Sequence, residues 1–305
     1  MAERIALVTG ARGFLGRHVA RLLSDQGYAV HGLGHGDWPP EEWGRLGLAS
    51  WTAGEVNLES LVGQPQPELI IHCAGGASVA SSVEQPLRDY RRSVESTVAV
   101  LEYVRLRAPH AAVLLPSSGS VYGSHESGAV AENAALSPQS PYAVHKLLAE
   151  QRCAEYGKSF GVRSAVLRFF SVYGSGLRKQ LLWEACNRLS RGEASFSGTG
   201  GETRDWLHVE DAVGLILKAA GHASRSSPIV NGGCGVGATV REVVTELARA
   251  LGFAGQVTFT QKQRPGDPFR IVADNRLALS WGWAPRIPWR AGVHEYAAWF
   301  AGGGQ

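Results

Sequence analysis

The sequence predicts an α/β fold built on a doubly wound parallel sheet. Strand-length runs rich in apolar residues, at 5–8, 68–73, 111–115 and 162–169, alternate with longer segments of helical periodicity such as 90–106. Near-continuous apolar runs are typical of strands that helices cover on both faces. Strands that alternate with helices at this spacing pair in parallel, because each helix carries the chain back to the same end of the sheet.

A glycine-rich turn follows the first predicted strand. It precedes a helical pattern that ends near Gly27. Backbone N–H groups and the helix dipole can hold a pyrophosphate at such a turn. The sheet is therefore predicted to be of the Rossmann type, with a dinucleotide held by Gly10, Arg12, Gly13, Phe14, Leu15 and Gly16.

The end of the second predicted strand bears on the choice of dinucleotide. Folds that bind NAD usually carry an acidic residue there, which bonds the ribose 2′-hydroxyl. This chain has Gly34 and then His35, and Arg12 could approach a 2′-phosphate. We therefore predict a preference for NADP(H), and the nearby Asp37 leaves NAD(H) open. Further cofactor contacts are expected from His35, Glu55, Val56, Ala74 and Gly75.

The segment 117–146 carries the predicted catalytic groups. Tyr142 and Lys146 are four residues apart on a helix that can begin at Pro141, so both side chains share one face. A neighbouring ammonium favours the phenolate form of tyrosine, which gives a general base near neutral pH. Ser118 follows the apolar strand 111–115 and points into the crevice where ligands of open α/β sheets bind. We predict Ser118, Tyr142 and Lys146 as the catalytic set, with Tyr142 and Lys146 also contacting the cofactor.

Composition excludes several other classes of protein. The 305 residues carry a net charge of +3 with scattered basic residues, so we expect no nucleic-acid partner. Cys73, Cys153, Cys186 and Cys234 lack Cys-x-x-Cys spacing, which predicts reduced thiols and no metal site. No apolar run reaches the roughly 18 residues of a membrane span. We expect a cytoplasmic protein without a membrane partner.

The chain resembles the extended short-chain dehydrogenase/reductase family, and within it the NAD-dependent epimerase/dehydratase group that acts on nucleotide sugars. The resemblance covers nearly the whole chain. The matching segments, in order, are 9–16, 72–75, Ser118, Tyr142 with Lys146, 167–174, 204–211, 231–233, 264–267 and 281–285.

This resemblance implies two domains and a set of substrate contacts. Residues 1–174 would form the dinucleotide-binding domain, to which 205–231 returns. A smaller mixed α/β domain, 175–204 with 232–305, would cover a nucleotide-diphospho-sugar. The implied substrate contacts are Ser78, Ser118, Ser171, Arg204 and Arg264. Two guanidinium groups suit the paired phosphates of such a substrate. The family also implies a homodimer, with helix 90–106 as a candidate contact face.

Two enzymatic reactions at the sugar C4 remain open from the sequence. The first is reduction of a nucleotide-4-keto-6-deoxysugar by NADPH, favoured by Gly34 and Arg12. The alternative is a nucleotide-sugar 4-epimerase with tightly bound NAD. Dehydration is not expected, because Gly119 and Ser120 stand where dehydratases of this group carry acids. A catalytically silent cofactor sensor is the third interpretation, and the intact Ser118, Tyr142 and Lys146 argue against it.

Overall fold

The computed structural model describes residues 3–125, 128–262 and 269–303. Its strands are β1 Ile5–Thr9, β2 Ala29–Gly34, β3 Leu48–Ala53, β4 Leu69–His72, β5 Ala112–Ser118, β6 Arg163–Phe169, β7 Ser171–Tyr173, β8 Ser195–Phe196, β9 Thr203–His208, β10 Ile229–Gly232, β11 Gly237–Thr239, β12 Thr258–Phe259 and β13 Arg270–Ile271. Its helices are α1 Phe14–Asp25, α2 Pro40–Gly44, α3 Leu58–Val62, α4 Val79–Glu84, α5 Pro86–Tyr90, α6 Ser96–Arg107, α7 Pro141–Phe160, α8 Gln180–Leu189, α9 Val209–Ala220, α10 Val240–Ala250, α11 Arg276–Ser280 and α12 Trp289–Ala301.

A seven-stranded sheet in the order β10-β6-β5-β4-β1-β2-β3 confirms the predicted Rossmann-type fold class. The chain moves outward from β1 in one direction and then returns to build the other half, as in dinucleotide-binding folds. Pairing is parallel from β3 through β2, β1 and β4 to β5. Leu7, Ile70, Val113 and Val166 lie at the centre of this sheet and are fully buried. Burial on both faces explains why these strands read as apolar runs.

The chain divides into two compact units. The first contains the described residues up to Val121, then Pro138–Arg168 and Val213–Val230. The second contains the described parts of Tyr122–Ser137, Phe169–Ala212 and Asn231 onward. This division places the end of the first unit earlier than residue 174, and it assigns the described parts of 122–137 to the second unit.

The second unit has its own small sheets and helices. Strand β9 pairs with β7 and β13 in parallel and with β11 in the antiparallel sense. A two-stranded sheet joins β8 to β12, and α10 packs against α8 and α12. Asp205 of β9 holds this unit together from within, because its buried carboxylate accepts hydrogen bonds from the backbone N–H groups of Cys234, Gly235 and Ala273.

One helical run differs from the prediction in length and regularity. The pattern predicts a single helix over 90–106, whereas helical structure runs from Pro86 to Arg107 with a π-helical turn at Arg91–Glu95 between α5 and α6. A π turn takes in one more residue than an α turn, and such turns are frequent at functional sites. The turn carries Ser93, whose hydroxyl accepts a hydrogen bond from the N–H of Gly76 at 3.0 Å.

None of the helices in the described ranges combines the length and the apolar character needed to cross a bilayer.

Candidate active site

The glycine turn between β1 and α1 has the geometry of a phosphate cradle. Gly10 adopts a left-handed conformation with φ +69°, and its N–H donates to the carbonyl of Leu33 at 2.6 Å. A Cβ on Gly16 would lie 2.2 Å from the carbonyl oxygen of Gly10, so α1 approaches the turn too closely for any side chain. Gly13 caps α1 without a side-chain acceptor, so no capping side chain occupies the positive end of the helix dipole. These residues fit a dinucleotide pyrophosphate.

The loop that follows β2 lies against Arg12 of the glycine turn. Gly34 ends β2, and His35 follows it at the carboxyl end of the strand. The guanidinium of Arg12 lies over Gly36, since a Cβ built there would be 2.3 Å from Nη1 of Arg12. The structure thus brings Arg12 to the place where the sequence analysis put a 2′-phosphate.

The segment after β3 carries two of the predicted cofactor contacts, Glu55 and Val56. Val56 packs against the apolar core, and Glu55 beside it is exposed. Trp38 and Trp51 stand nearby with ring centroids 5.1 Å apart, and they line a cavity of about 340 Å³ with Asp37 and Ala53. These tryptophans were not among the predicted contacts, and residues 38–54 gave no pattern that would have placed them.

The loop after β4 brings small residues next to Lys146. Gly75 has φ +153°, and a Cβ on it would lie 3.5 Å from Nζ of Lys146. Ala74 donates its N–H to the Thr9 hydroxyl at 3.3 Å, which fixes the loop to β1. Gly10 also packs closely against this loop, because a Cβ built on Gly10 would lie 2.7 Å from the backbone N of Ala74. The predicted contacts Gly10, Ala74 and Gly75 therefore lie together.

Ser118, Tyr142 and Lys146 all lie in the first unit, with Ser118 at the carboxyl end of β5 and the other two on α7. Helix α7 begins at Pro141, as predicted, and Ser140 caps it by accepting from the N–H of Ala143 at 3.2 Å. The ammonium of Lys146 lies 5.9 Å from the centroid of the Tyr142 ring and donates to the carbonyl of Pro116 at 3.0 Å.

The electrostatics of Tyr142 differ from the expectation that Lys146 lowers its pKa. Burial raises the pKa of Tyr142, and the charge of Asp89 adds to that rise. A hydrogen bond with Ser118 acts in the opposite direction and lowers the pKa of Tyr142. Burial also lowers the pKa of Lys146. Ser118 is therefore the group that favours the phenolate in this structure.

A buried ion pair supports the strand that carries Ser118. Glu150 of α7 receives two hydrogen bonds from Nε of Arg168 at 3.1 Å and one from its Nη2 at 2.7 Å. The hydroxyl of Ser117 also donates to Glu150. Removing one partner would leave an uncompensated buried charge, so this pair fixes α7 against β5 and β6.

The sequence analysis did not predict a role for two polar side chains near the site, His72 and Asp89. His72 is 1% exposed and joins Thr9 at 2.7 Å to Ser96 at 3.1 Å, so its imidazole ties β1, β4 and α6 together. Asp89 contacts His145 at 2.6 Å, directly before Lys146 in the chain. The only signal for this pair was a histidine inside the Tyr-x-x-x-Lys motif, because Asp89 lies 56 residues away in sequence.

The predicted substrate contacts are distributed over both units. Ser78 caps α4 and accepts from the N–H of Ser81 at 3.4 Å. Ser171 begins β7 and Arg204 lies in β9, both in the second unit. The guanidinium of Arg204 donates to the carbonyl of Thr203 at 3.1 Å. Arg264 lies outside the described residues.

Comparisons with known proteins agree with this architecture. The UDP-glucose 4-epimerase of Azospirillum brasilense is 32% identical over 307 residues, which cover 92% of this chain and 87% of that protein. The crystal structure of the Thermus thermophilus UDP-glucose 4-epimerase in complex with NAD has a TM-score of 0.89 at 27% identity and covers 98% of this chain and 99% of its own.

A second solved structure, the Thermotoga maritima UDP-glucose 4-epimerase with UDP-glucose, has a TM-score of 0.89 at 26% identity, with 99% of this chain and 100% of that chain covered. The model of the NAD dependent epimerase/dehydratase family matches residues 6–233. That match spans the glycine turn, Ser118, Tyr142 and Lys146. The chain therefore belongs to the NAD dependent epimerase/dehydratase family.

Proposed function

We propose that this protein is a UDP-sugar 4-epimerase that works with NAD. The observation that carries the proposal is a complete Ser118, Tyr142 and Lys146 set in a chain that is 32% identical to a UDP-glucose 4-epimerase over 92% of its length. The relatives thus favour the epimerase over the ketoreductase, which the sequence analysis had placed first. They give no support to the preference for NADP(H), because the Thermus thermophilus relative was solved with NAD.

The residues of the site suit a reversible oxidation at C4. NAD held at the glycine turn 10–16 would supply reversible hydride transfer at the sugar C4. Tyr142 would accept the proton of the C4 hydroxyl during oxidation and give it back after the sugar has turned. Ser118 would hold the same oxygen, and Lys146 would bind the nicotinamide ribose. Ser78, Ser171, Arg204 and Arg264 are proposed to bind the nucleotide sugar.

The test is interconversion of C4 epimers without added cofactor. Purified protein should convert UDP-glucose, UDP-glucuronic acid or their N-acetylated counterparts to a mixture of C4 epimers, observed by proton NMR. Denatured protein should release NAD, identified by mass spectrometry, because an epimerase regenerates its cofactor in every cycle. Absence of epimer formation with every UDP-sugar would overturn the proposal.

The ketoreductase stays as the second candidate because of one observation. Arg12 lies over Gly36 and no carboxylate ends β2, which suits a 2′-phosphate. Protein that is purified without nucleotide, binds NADPH more tightly than NADH and oxidises it with a nucleotide-4-keto-6-deoxysugar would be a reductase. Retained nucleotide with neither activity would indicate a cofactor sensor.

A further inference from the structure

The indole of Trp51, in β3, packs against glycines of the neighbouring strand β2. Trp51 pairs with Gly32 in the parallel ladder, and Gly34 lies two residues further on the same face of the strand. A Cβ on Gly32 would lie 3.0 Å from Cε3 of Trp51, and a Cβ on Gly34 would lie 3.0 Å from its Cη2. The indole Nε1 donates to the carbonyl of Gly36 at 3.3 Å. The ring therefore lies along β2 and covers the end of the strand.

This indole occupies the space of the acid that ends β2 in most folds that bind NAD. Such an acid lies at the carboxyl end of the strand and bonds the cofactor ribose. The corresponding residue here is Gly34, and a Cβ on it would also lie 3.4 Å from Cα of Gly10 in the glycine turn. Any longer side chain at position 34 would have to displace Trp51. Packing against Trp51 therefore explains the glycine at this position without a 2′-phosphate.

A cavity lies against Trp51, close to the glycine turn. Asp37, Trp38 and Ala53 line it together with Trp51 and two prolines, and its volume is about 340 Å³. Trp38 is 4% exposed, and its ring meets that of Trp51 edge-on with centroids 5.1 Å apart. Among the described residues that line the cavity, Asp37 is the one with a charged side chain. Aromatic walls and one carboxylate suit a purine and the hydroxyl groups of its ribose.

We propose that this cavity binds the adenosine end of NAD and that Asp37 replaces the acid missing from β2. The Asp37 carboxylate would accept hydrogen bonds from the ribose hydroxyls and repel a 2′-phosphate. Asp37 follows Gly36, whose carbonyl bonds to Trp51. The indole that excludes an acid at position 34 thus also holds the loop that supplies one at position 37. This assignment rests on the proposed use of NAD and names Trp51 and Asp37 as the residues that select it.

Arg12 gives the competing interpretation. Its guanidinium lies over Gly36, directly before Asp37 in the chain, and would favour a 2′-phosphate. Arg12 belongs to the glycine turn, whereas Asp37 lines the cavity itself. The two side chains predict opposite preferences for the cofactor, and a binding experiment separates them.

The test is binding of the adenosine half of the cofactor, without the nicotinamide. Isothermal titration of nucleotide-free protein compares ADP-ribose with 2′-phospho-ADP-ribose, and the unaltered protein should bind ADP-ribose more tightly. Asp37 is exposed, so Asp37→Asn should fold normally. It keeps the shape and removes the charge, so the ratio of the two affinities should fall at least about tenfold. Glu41→Gln removes a charge from an exposed side chain of α2 and should leave the ratio unchanged.

A second pair of variants tests the exclusion by Trp51. Gly34→Asp alone should weaken binding of ADP-ribose about tenfold, because its Cβ meets the indole. Combining Gly34→Asp with Trp51→Ala frees that space, so the double variant should bind ADP-ribose more tightly than Gly34→Asp. Normal binding by Gly34→Asp would remove Trp51 from the proposal.

Tighter binding of the 2′-phosphate by the unaltered protein would overturn the proposal, and loss of that preference in Arg12→Ala would assign the selection to Arg12. An affinity ratio that Asp37→Asn leaves unchanged, or binding of neither probe, would contradict it equally. None of these titrations needs turnover. A preference for ADP-ribose that depends on Asp37, in a protein that epimerises no UDP-sugar, would therefore support this selection and reject only the proposed reaction.

Discussion

The proton on Tyr142 is governed at the scale of single residues by opposing effects. Burial and Asp89 hold the proton on the phenol, and the Ser118 hydrogen bond favours its release. Ser118 is in turn oriented by the turn that follows β5, where its hydroxyl accepts from the N–H of Ser120 at 3.2 Å. A base that must also act as an acid benefits from such a balance, because the proton has to be taken and returned in one cycle.

Replacing Tyr142 by Phe should abolish turnover and leave cofactor binding nearly intact. The ring stays and only the hydroxyl that moves the proton is lost, so we expect a loss of about 10²–10⁴-fold in kcat. Epimer formation by NMR measures the first effect, and the NAD that the purified variant retains, identified by mass spectrometry after denaturation, measures the second. Full activity in Tyr142→Phe would remove Tyr142 from the mechanism.

At the scale of elements, the close approach of α1 to the turn after β1 requires glycine at position 16. Gly16→Ala should weaken NAD binding at least tenfold and destabilise the fold, because the new Cβ would lie 2.2 Å from the Gly10 carbonyl. Gly44→Ala is the matched control, since that helical glycine has open space around it. It should leave NAD binding unchanged and stabilise the protein by about 0.4–1 kcal/mol. Isothermal titration of nucleotide-free protein measures NAD affinity, and thermal unfolding measures stability. Equal NAD affinity in the two variants would contradict the assignment of the glycine turn as the phosphate cradle.

His72 joins three elements and makes their stability depend on pH. Burial lowers the pKa of His72 from 6.5 to about 3. The unfolded chain therefore binds the proton first, and stability is lost as the pH falls from about 6.5 towards 3. The loss should reach about 1.4 kcal/mol per pH unit within that window. Urea unfolding at a series of pH values measures the free energy of unfolding, which should fall less steeply with decreasing pH in His72→Asn than in the unaltered protein. Identical slopes would be inconsistent with a neutral buried imidazole.

At the scale of the whole molecule, the exposed apolar residues of α6 and α7 bear on assembly. Leu106 and Phe160 are 49% and 51% exposed, and Arg105 bridges the two helices by lying over the Phe160 ring at 5.2 Å. We predict a homodimer through these helices, as the family resemblance implies. Sedimentation should give a dimer for the unaltered protein and a monomer for the Leu106→Glu, Phe160→Glu double variant. Leu279→Glu, at a site 46% exposed in α11, should stay dimeric.

Much of the first unit was predictable because its signals are local. Apolar runs gave the strands, and the glycine turn required a close backbone approach that the structure contains at Gly16. The Asp89–His145 contact was not predictable, since it joins residues that are far apart in the chain and depends on how α5 packs against α7. The choice between the two reactions depended on a different kind of signal, and the relatives favour the epimerase that the sequence analysis placed second. Cofactor preference was inferred from a missing carboxylate at Gly34, and the relatives point to NAD.

The π-helical turn at Arg91–Glu95 also sets the rotational phase of everything after it. One residue of an α-helix corresponds to about 100° of rotation about the axis. Deleting a single residue from this turn would convert 86–107 into a regular helix. Either Ser93 would then rotate away from Gly76, or the buried side of α6, with Val100, Leu101 and Val104, would rotate away from the sheet. We therefore expect the chain to tolerate substitutions in this turn better than a change in length, and we expect a relative that lacks the extra residue to support its Gly75-Gly76 equivalent by other means.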